Sequence, residues 1–207
     1  MRPQMLVVAG PPGSGKSSLL RPDQSEIESF NADERARDLN DGSGHKIPPA
    51  IRQIVNQELE AFILGHIRAK RSFSFETTLR TAIAFEQARL AKASGFDTRM
   101  QYVALSRVEE SIARVRARAV QGGHSAPPER IREIYEASLG HLPRALREFD
   151  LVRVFDNSDT GKREGPRLVL ESVDGHLVSL GSELPEWVVK ALLMSGLRER
   201  KGGEASF

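Results

Sequence analysis

Hydrophobic residues recur along this chain with two different spacings. Short apolar or aromatic runs, typical of buried strands, occupy 5–9, 27–30, 72–77, 98–105 and 151–155. Longer stretches carry apolar residues at the spacing of one helical face, and they cover 33–39, 48–67, 81–94, 107–121, 127–139 and 143–149. Strands that alternate with helices in this way predict an α/β fold, with a parallel sheet and helices on both of its faces.

The pattern changes after residue 158. Beyond a polar linker, the runs 167–173 and 177–180 flank an Asp-Gly pair and predict a β-hairpin. A helix over 185–197 contains the only tryptophan, and the charged tail 198–207 is expected to fray. We therefore divide the chain into two parts, a core at 1–158 and a C-terminal hairpin-helix appendage at 159–207.

Composition narrows the class of protein. The 207 residues include 30 basic and 28 acidic side chains, so the net charge of +2 gives no overall case for nucleic-acid binding. The chain has no cysteine, which excludes disulfides and thiolate chemistry and is compatible with a reducing cytosol. No apolar run reaches the ~18 residues that span a bilayer, and the first residues do not form a signal peptide. We expect a cytoplasmic protein without a membrane or nucleic-acid partner.

The first strand runs into a complete phosphate-binding motif, G-x-x-x-x-G-K-[ST]. Glycines there allow several main-chain N–H groups to face one anion at the start of a helix. Lys16 adds a positive charge for the outer phosphates, and the Ser17 hydroxyl suits Mg²⁺. The helix that follows should be short, because Arg21 precedes a proline. We predict a nucleoside triphosphate site that comprises Gly10, Pro11, Pro12, Gly13, Ser14, Gly15, Lys16, Ser17 and Ser18.

Phosphoryl transfer also needs groups that orient the acceptor, and candidates follow the ends of the predicted strands. Asp33 could take a proton from a substrate hydroxyl, or it could cap the next helix, a role for which Asn31 competes. Glu76, Thr78 and Arg80 follow the third strand. Glu76 could hold magnesium through water or orient a substrate. Alternatively, Thr78 is a helix N-cap and Glu76 is a surface charge.

The helix at 107–121 is rich in arginine. Arg114 and Arg118 lie on one flank of its apolar stripe, and Arg116 lies on the other. Planar guanidinium groups match phosphate oxygens, so this array could clamp a triphosphate, or it could be an ordinary solvated face. Its position after the fourth strand favours a lid at about 107–140.

Two further groups lie in loops. Gly122-Gly123 could be the hinge of the lid, and His124 beside it could donate to a phosphate. No second ligand stands at metal-binding spacing from His124 or His45, so we expect no zinc site. Asp156 and Asn157 follow the last core strand, where they could line an adenine pocket or form a plain turn.

Together these segments resemble the zeta toxin family of P-loop kinases, and more closely a shorter, predicted-ATPase branch of it. The similarity runs from the first strand to Ser158, and it implies a nucleotide-kinase-like core. It also implies transfer of the γ-phosphate of ATP, with magnesium, to a hydroxyl of a UDP-N-acetylamino sugar, and an antitoxin protein as a partner. The segments that carry it are 10–17, Asn31-Ala32-Asp33, Phe75-Glu76-Thr77-Thr78-Leu79-Arg80, Gly122-Gly123-His124-Ser125 and Asp156-Asn157-Ser158.

The resemblance also implies roles for single residues. Lys16 and Ser17 correspond to the phosphate and magnesium residues, Asp33 to the base, and Glu76 and Thr78 to sugar-nucleotide contacts. The arginine that stabilises the transferred charge would be Arg114, Arg116 or Arg118.

The chain departs from the zeta toxin pattern in two places. The toxins carry a second lid arginine in an Arg-Ala-Thr-Pro-like segment, and this chain has Gly122-Gly123-His124-Ser125-Ala126-Pro127 there. The C-terminal hairpin and the tryptophan helix also lie outside that pattern. Two alternatives therefore stay open. A kinase of the same fold could act on an antibiotic, a nucleoside or a simple sugar. A nucleotide-gated ATPase or switch could instead bind a partner on its C-terminal helix.

Overall fold

Each apolar run that the sequence predicts as a strand is a strand in the computed structural model, which describes residues 2–19, 27–120, 126–158 and 165–199. The strands are β1 Gln4–Ala9, β2 Glu28–Phe30, β3 Phe73–Thr77, β4 Asp97–Ala104, β5 Leu151–Asp156, β6 Arg167–Val173, β7 His176–Leu180 and β8 Arg198–Glu199. The α-helices are α1 Ala32–Asp38, α2 Pro49–Ala69, α3 Ile83–Ala93, α4 Val108–Val120, α5 Pro128–Glu148 and α6 Glu186–Ser195. The predicted α/β fold is confirmed.

The strands form one sheet in the order β2-β3-β1-β4-β5-β6-β7-β8. Strands β1 to β5 are parallel, and β6 and β7 continue the sheet in antiparallel fashion. Because β1 lies between β3 and β4, the carboxyl ends of these three strands meet at one edge, where ligands of open α/β sheets bind. The register pairs Ala9 with Thr77 on one side and with Tyr102 on the other. The phosphate motif after Ala9 therefore begins beside the end of β3.

One face of the sheet carries the main core. Phe73 and Phe75 of β3 lie beside Met5 and Val7 of β1, and side chains of α2, α3, α5 and α6 cover them. Side chains alternate between the faces of a strand, so Glu76 projects from the other face, where its register partner is Val8. That alternation directs the Glu76 carboxylate toward the side of the sheet on which the phosphate motif lies.

Two predicted helices differ from the structure. The sequence predicts separate helices at 127–139 and 143–149, but α5 is continuous with Pro143 inside it. Proline lacks the N–H of a helical hydrogen bond, yet Leu142 and Leu146 on either side of it are buried in the main core, and this packing keeps the helix continuous. At the end of the phosphate motif the chain forms a 3₁₀ turn, Lys16–Ser18, and the break predicted at Arg21 and the following proline lies outside the described residues.

The C-terminal hairpin and helix share the sheet and core of the preceding residues. Strand β6 pairs with β5 from Leu151 to Asp156. Trp187 of α6 is 9% exposed, and its ring centroid lies 6.2 Å from that of Tyr102 on β4. Arg198 and Glu199, at the start of the tail that was predicted to fray, pair with β7, and residues 200–207 lie outside the described part. The segment that the sequence predicts as an appendage extends the same layer of strands.

We predict that Trp187→Ala destabilises the whole chain in one transition. Removing this side chain leaves a cavity beside Tyr102, which should lower the free energy of unfolding by about 3 kcal/mol. Leu193→Ala, on the same helix but with Leu193 76% exposed, should cost under ~1 kcal/mol. Urea denaturation followed by amide exchange of β1 and β4 measures both. Loss of protection confined to residues 165–199 in the Trp187 variant would contradict a shared core.

Candidate active site

The phosphate loop, residues 10–15, leaves β1 and enters the 3₁₀ turn at Lys16. The N–H of Gly10 donates to the carbonyl of Thr77 at 3.2 Å, which ties the start of the loop to the end of β3. The Lys16 ammonium donates to the carbonyls of Gly10 and Pro11, at 3.1 and 3.2 Å. The predicted phosphate residues thus form a tight loop, and the Lys16 ammonium binds the first two carbonyls of that loop.

The loop has no room for side chains at any of its three glycines. A Cβ at Gly10 would lie 2.0 Å from the carbonyl oxygen of Val103 on β4. Gly13 has φ +73°, and a Cβ there would lie 2.7 Å from the carbonyl oxygen of Ser111 on α4. Gly15 has φ +92°, and a Cβ there would lie 2.3 Å from the side-chain nitrogen of Asn157. Gly13 and Gly15 both combine a left-handed backbone with a close neighbour, so glycine is required at each. The loop is packed between the arginine-rich helix and the end of β5.

Charges from three other elements surround Lys16. Burial lowers the pKa of Lys16, the carboxylates of Glu76 and Asp33 counteract that effect, and the guanidinium of Arg118 lowers the pKa further. Glu76 is the next-to-last residue of β3, Asp33 lies in the first turn of α1, and Arg118 lies near the end of α4. The structure therefore brings together the loop lysine, two predicted carboxylates and one predicted arginine.

The pKa of Glu76 lies above its usual range. Burial raises its pKa, Lys16 and Arg118 lower it, and the nearby charges of Asp33 and Glu34 raise it again. One carboxylate oxygen, Oε1, is buried without a hydrogen-bond partner. An unpaired buried oxygen beside a phosphate loop fits a water-mediated or direct contact with Mg²⁺, and the exposed Ser17 hydroxyl fits the same ion.

Neither Asp33 nor Thr78 serves as a helix N-cap. Asn31 caps α1, because its side-chain oxygen accepts from the N–H groups of Asp33 and Glu34 at 3.0 and 3.2 Å. The Asp33 carboxylate is exposed and is therefore not needed as the cap. The alternative that Thr78 is an N-cap is wrong, since the cap position of α3 is Ala82.

Arg80 faces a second group of charges. Burial lowers the pKa of Arg80, and the positive charges of Arg130 and Arg52 lower it further. Arg80 and Arg130 both line a groove of about 390 Å³ between the turn after β3 and the start of α5. Sequence spacing gives no signal that links Arg80 with Arg130, because only the packing of α5 places them together.

The three predicted lid arginines occupy different places. Arg118 acts electrostatically on Lys16 and Glu76. Arg114 donates to the main-chain carbonyl of Asn157 at 2.9 Å. Arg116 is exposed on α4, as expected for the opposite flank of the apolar stripe. The helix therefore presents its arginines to different partners and not as one array.

The last residue of β5, Asp156, and the residue after it, Asn157, lie near the phosphate loop. The side-chain amide of Asn157 donates to the carbonyl of Ser14 at 2.9 Å. Asp156 is 4% exposed, and its carboxylate accepts from the N–H and hydroxyl of Ser158 at 3.2 and 2.6 Å. The turn alternative therefore describes Asp156 well. No local sequence signal indicates that Asn157 contacts the loop itself.

The two predicted loop histidines differ in what can be described. His124 lies outside the described residues. A ring nitrogen of His45 lies 3.1 Å from the carbonyl oxygen of Ala119, so the loop between α1 and α2 contacts the end of α4. No group of three or more His, Cys, Asp or Glu residues that could hold a metal occurs within the described ranges. In the same part of the chain, no helix is long and apolar enough to cross a membrane.

A protein-family model that describes an AAA domain matches residues 5–139. The chain belongs to this AAA domain family. The matched part of this AAA domain protein includes the phosphate loop, Asp33, Glu76 and helix α4. A sequence relative, an uncharacterized protein of Haemophilus influenzae, is 29% identical over 127 residues, which cover 60% of this chain and 86% of that protein.

Two solved structures share the fold of this AAA domain protein. One is from the PezAT chromosomal toxin-antitoxin system of Streptococcus pneumoniae, with a TM-score of 0.57, 17% identity and coverage of 80% of this chain and 74% of that one. The other is the AvrRxo1-ORF1:-ORF2 complex with ATP, with a TM-score of 0.65, 14% identity and coverage of 98% and 66%. Together with the strand order, they assign a P-loop NTPase fold of the nucleotide-kinase type.

We predict that Gly13→Ala is costlier than Gly42→Ala. Both glycines have positive φ, +73° and +78°, but a Cβ at Gly42 meets nothing within 4 Å, whereas one at Gly13 meets α4. The shared backbone strain should cost about 1–2 kcal/mol in each variant, and the clash should add about 1–3 kcal/mol at Gly13. Urea denaturation measures both. Equal costs would mean that α4 does not pack on the loop.

Proposed function

We propose that this AAA domain protein is an ATP-dependent phosphotransferase that moves the γ-phosphate to a hydroxyl of a small molecule, with a UDP-N-acetylamino sugar as the leading acceptor. The observation that carries the proposal is the convergence of Lys16, Asp33, Glu76 and Arg118 from four elements, which interact electrostatically beside the phosphate loop. Phosphoryl transfer depends on positioning and charge stabilisation, and these four groups are of the types that it needs.

The loop and Lys16 would bind the triphosphate of ATP. The ammonium that donates to the Gly10 and Pro11 carbonyls would exchange these contacts for phosphate oxygens, which are stronger acceptors. Ser17 and, through water, Glu76 would hold Mg²⁺, whose chemistry when bound is to neutralise charge on the phosphates. ATP as the donor also favours a cytoplasmic location.

Asp33 would be the general base. In the transfer, the acceptor oxygen bonds to the γ-phosphorus while the bond from that phosphorus to the bridging oxygen of ADP breaks, and the acceptor proton passes to the Asp33 carboxylate. Two observations support this role. Asn31 already caps α1, and Asp33 acts on the pKa of Lys16 and of Glu76. Arg118 would stabilise negative charge on the transferred group.

Glu76, Thr78, Arg80 and His124 would contact the acceptor. The groove that Arg80 lines with Arg130 and Glu133 would hold an anionic part of that molecule, such as the diphosphate of a nucleotide sugar. Arg80 would be the main contact, because the Glu133 carboxylate accepts from Arg130 at 2.6 Å. Arg114 and Arg116, which the sequence also suggested as charge-stabilising groups, are not needed for that role if Arg118 supplies it. Asn157 would support the ATP site from behind the loop, and Asp156 would hold the adjoining turn.

An antitoxin is the partner that we propose. The support is the resemblance to zeta toxins and the fold shared with a structure from a toxin-antitoxin system. Co-expression of the chain with the product of an adjacent gene, followed by co-purification, would test the pairing.

Asp33→Asn should reduce transfer of labelled γ-phosphate at least about 100-fold while changing ATP affinity by less than about threefold, because the amide cannot take the proton but leaves the loop intact. Asp38→Asn, at the far end of α1, is the matched control and should keep full transfer. The assay uses labelled ATP with UDP-N-acetylamino sugars and then nucleosides, simple sugars and aminoglycosides.

Full transfer by Asp33→Asn would remove the base assignment. Phosphate released only to water, with every acceptor, would instead favour the nucleotide-gated ATPase or switch. Transfer to a different acceptor that Asp33→Asn also abolishes would leave the mechanism in place and change only the identity of the acceptor.

A further inference from the structure

We propose that Arg114 and Asn157 are positioning residues that brace the phosphate loop against helix α4, with Arg114 acting through Asn157. The inference rests on the proposed function only in taking the loop as the nucleotide site. It assigns Arg114 a different task from Arg118, although both lie on the same flank of one helix.

Asn157 is held by hydrogen bonds of both its main chain and its side chain. Its main-chain N–H donates to the carbonyl of Ala104 at the end of β4, at 3.0 Å. Its side-chain amide donates to the carbonyl of Ser14 at 2.9 Å, and it occupies the space beside Gly15 that a Cβ would fill. One amide thus supports two consecutive loop residues. The Ser14 carbonyl that it holds belongs to the peptide whose N–H, that of Gly15, is among the loop donors available to a phosphate.

Arg114 supplies the second link. Its guanidinium donates to the main-chain carbonyl of Asn157 at 2.9 Å, and its side chain is half-buried. A charged donor on a carbonyl makes a stronger hydrogen bond than a neutral one, so this contact restrains the position of Asn157. Two hydrogen bonds in series thus link α4 to the loop, the first from Arg114 to Asn157 and the second from Asn157 to Ser14. A shift of α4 would therefore be passed to the loop.

Direct packing at Gly13 gives the brace a second, independent contact. The space where a Cβ would project is bounded by the carbonyl oxygen of Ser111, at 2.7 Å, and by a methyl group of Val115, at 3.2 Å. Ser111 and Val115 are both buried on the side of α4 that also carries Arg114. Helix α4 therefore touches the loop at Gly13 and holds it through Asn157 at Ser14 and Gly15.

The test is a double-mutant cycle on the loop amides. Residue-resolved hydrogen exchange, without nucleotide, should show the bonded amides of Ser14, Ser18 and Leu19 exchanging about tenfold faster in Asn157→Ala, as expected for one lost hydrogen bond. Arg114→Ala should give a similar or smaller acceleration. The double variant should be no faster than Asn157→Ala alone, because the path from Arg114 to the loop is already cut.

Two further variants separate the brace from general destabilisation. Arg107→Ala removes the exposed partner of an ion pair with Glu110 at the start of α4 and should leave loop exchange unchanged. Arg114→Lys keeps a charged donor and should restore most of the protection that Arg114→Ala loses. In ATP titrations, Asn157→Ala and Arg114→Ala should each weaken the affinity for ATP up to about tenfold. In the double variant the two losses of affinity should not add.

Additive effects in the cycle, or loop exchange that Arg114→Ala leaves at the wild-type rate, would overturn the inference. A wild-type chain that binds no nucleotide would defeat the proposed function, while the exchange cycle would still decide whether the brace exists.

Discussion

The ammonium of Lys16 is the charge on which the arrangement of the site depends. It donates to two carbonyls of the phosphate loop, and its pKa is lowered by burial and by Arg118 and raised by Glu76 and Asp33. A positive charge in this position needs compensating groups, and each of them comes from a separate element of the sheet edge. The parallel order of β1, β3 and β4 provides that edge. The fold thus brings together charges that are far apart in sequence, and the phosphate loop gives them a common centre.

Much of the architecture follows from short-range pattern. Buried parallel strands are continuous apolar runs, so the strands and their alternation with helices could be predicted from spacing alone. The loop could be predicted as well, because its backbone conformation requires glycines at fixed positions and the phosphate-binding lysine follows them at a fixed spacing. The continuity of α5 could not, since a proline predicts a break and the burial of Leu142 and Leu146 that overrides it is a tertiary effect. For the same reason the hairpin was predicted as separate, although it pairs with β5.

The residues that form the site are easier to predict from the sequence than the contact that each of them makes. Spacing places Arg114 and Arg118 on one flank of a helix, but it cannot tell which reaches Asn157 and which acts on Lys16, because the placement of the helix against the loop decides that. The contact between Asn157 and Ser14 joins residues far apart in the chain, and no local signal predicts it. Long-range contacts of this kind also join helix α4 to the phosphate loop.

The most direct measurement is mass spectrometry of pooled cell metabolites after incubation with the wild-type chain, ATP and Mg²⁺. If the charges around Lys16 serve phosphoryl transfer to an alcohol, one hydroxyl compound gains a phosphate group while ATP is converted to ADP. Recovery of all the released phosphate as inorganic phosphate, or no conversion of ATP, would contradict it.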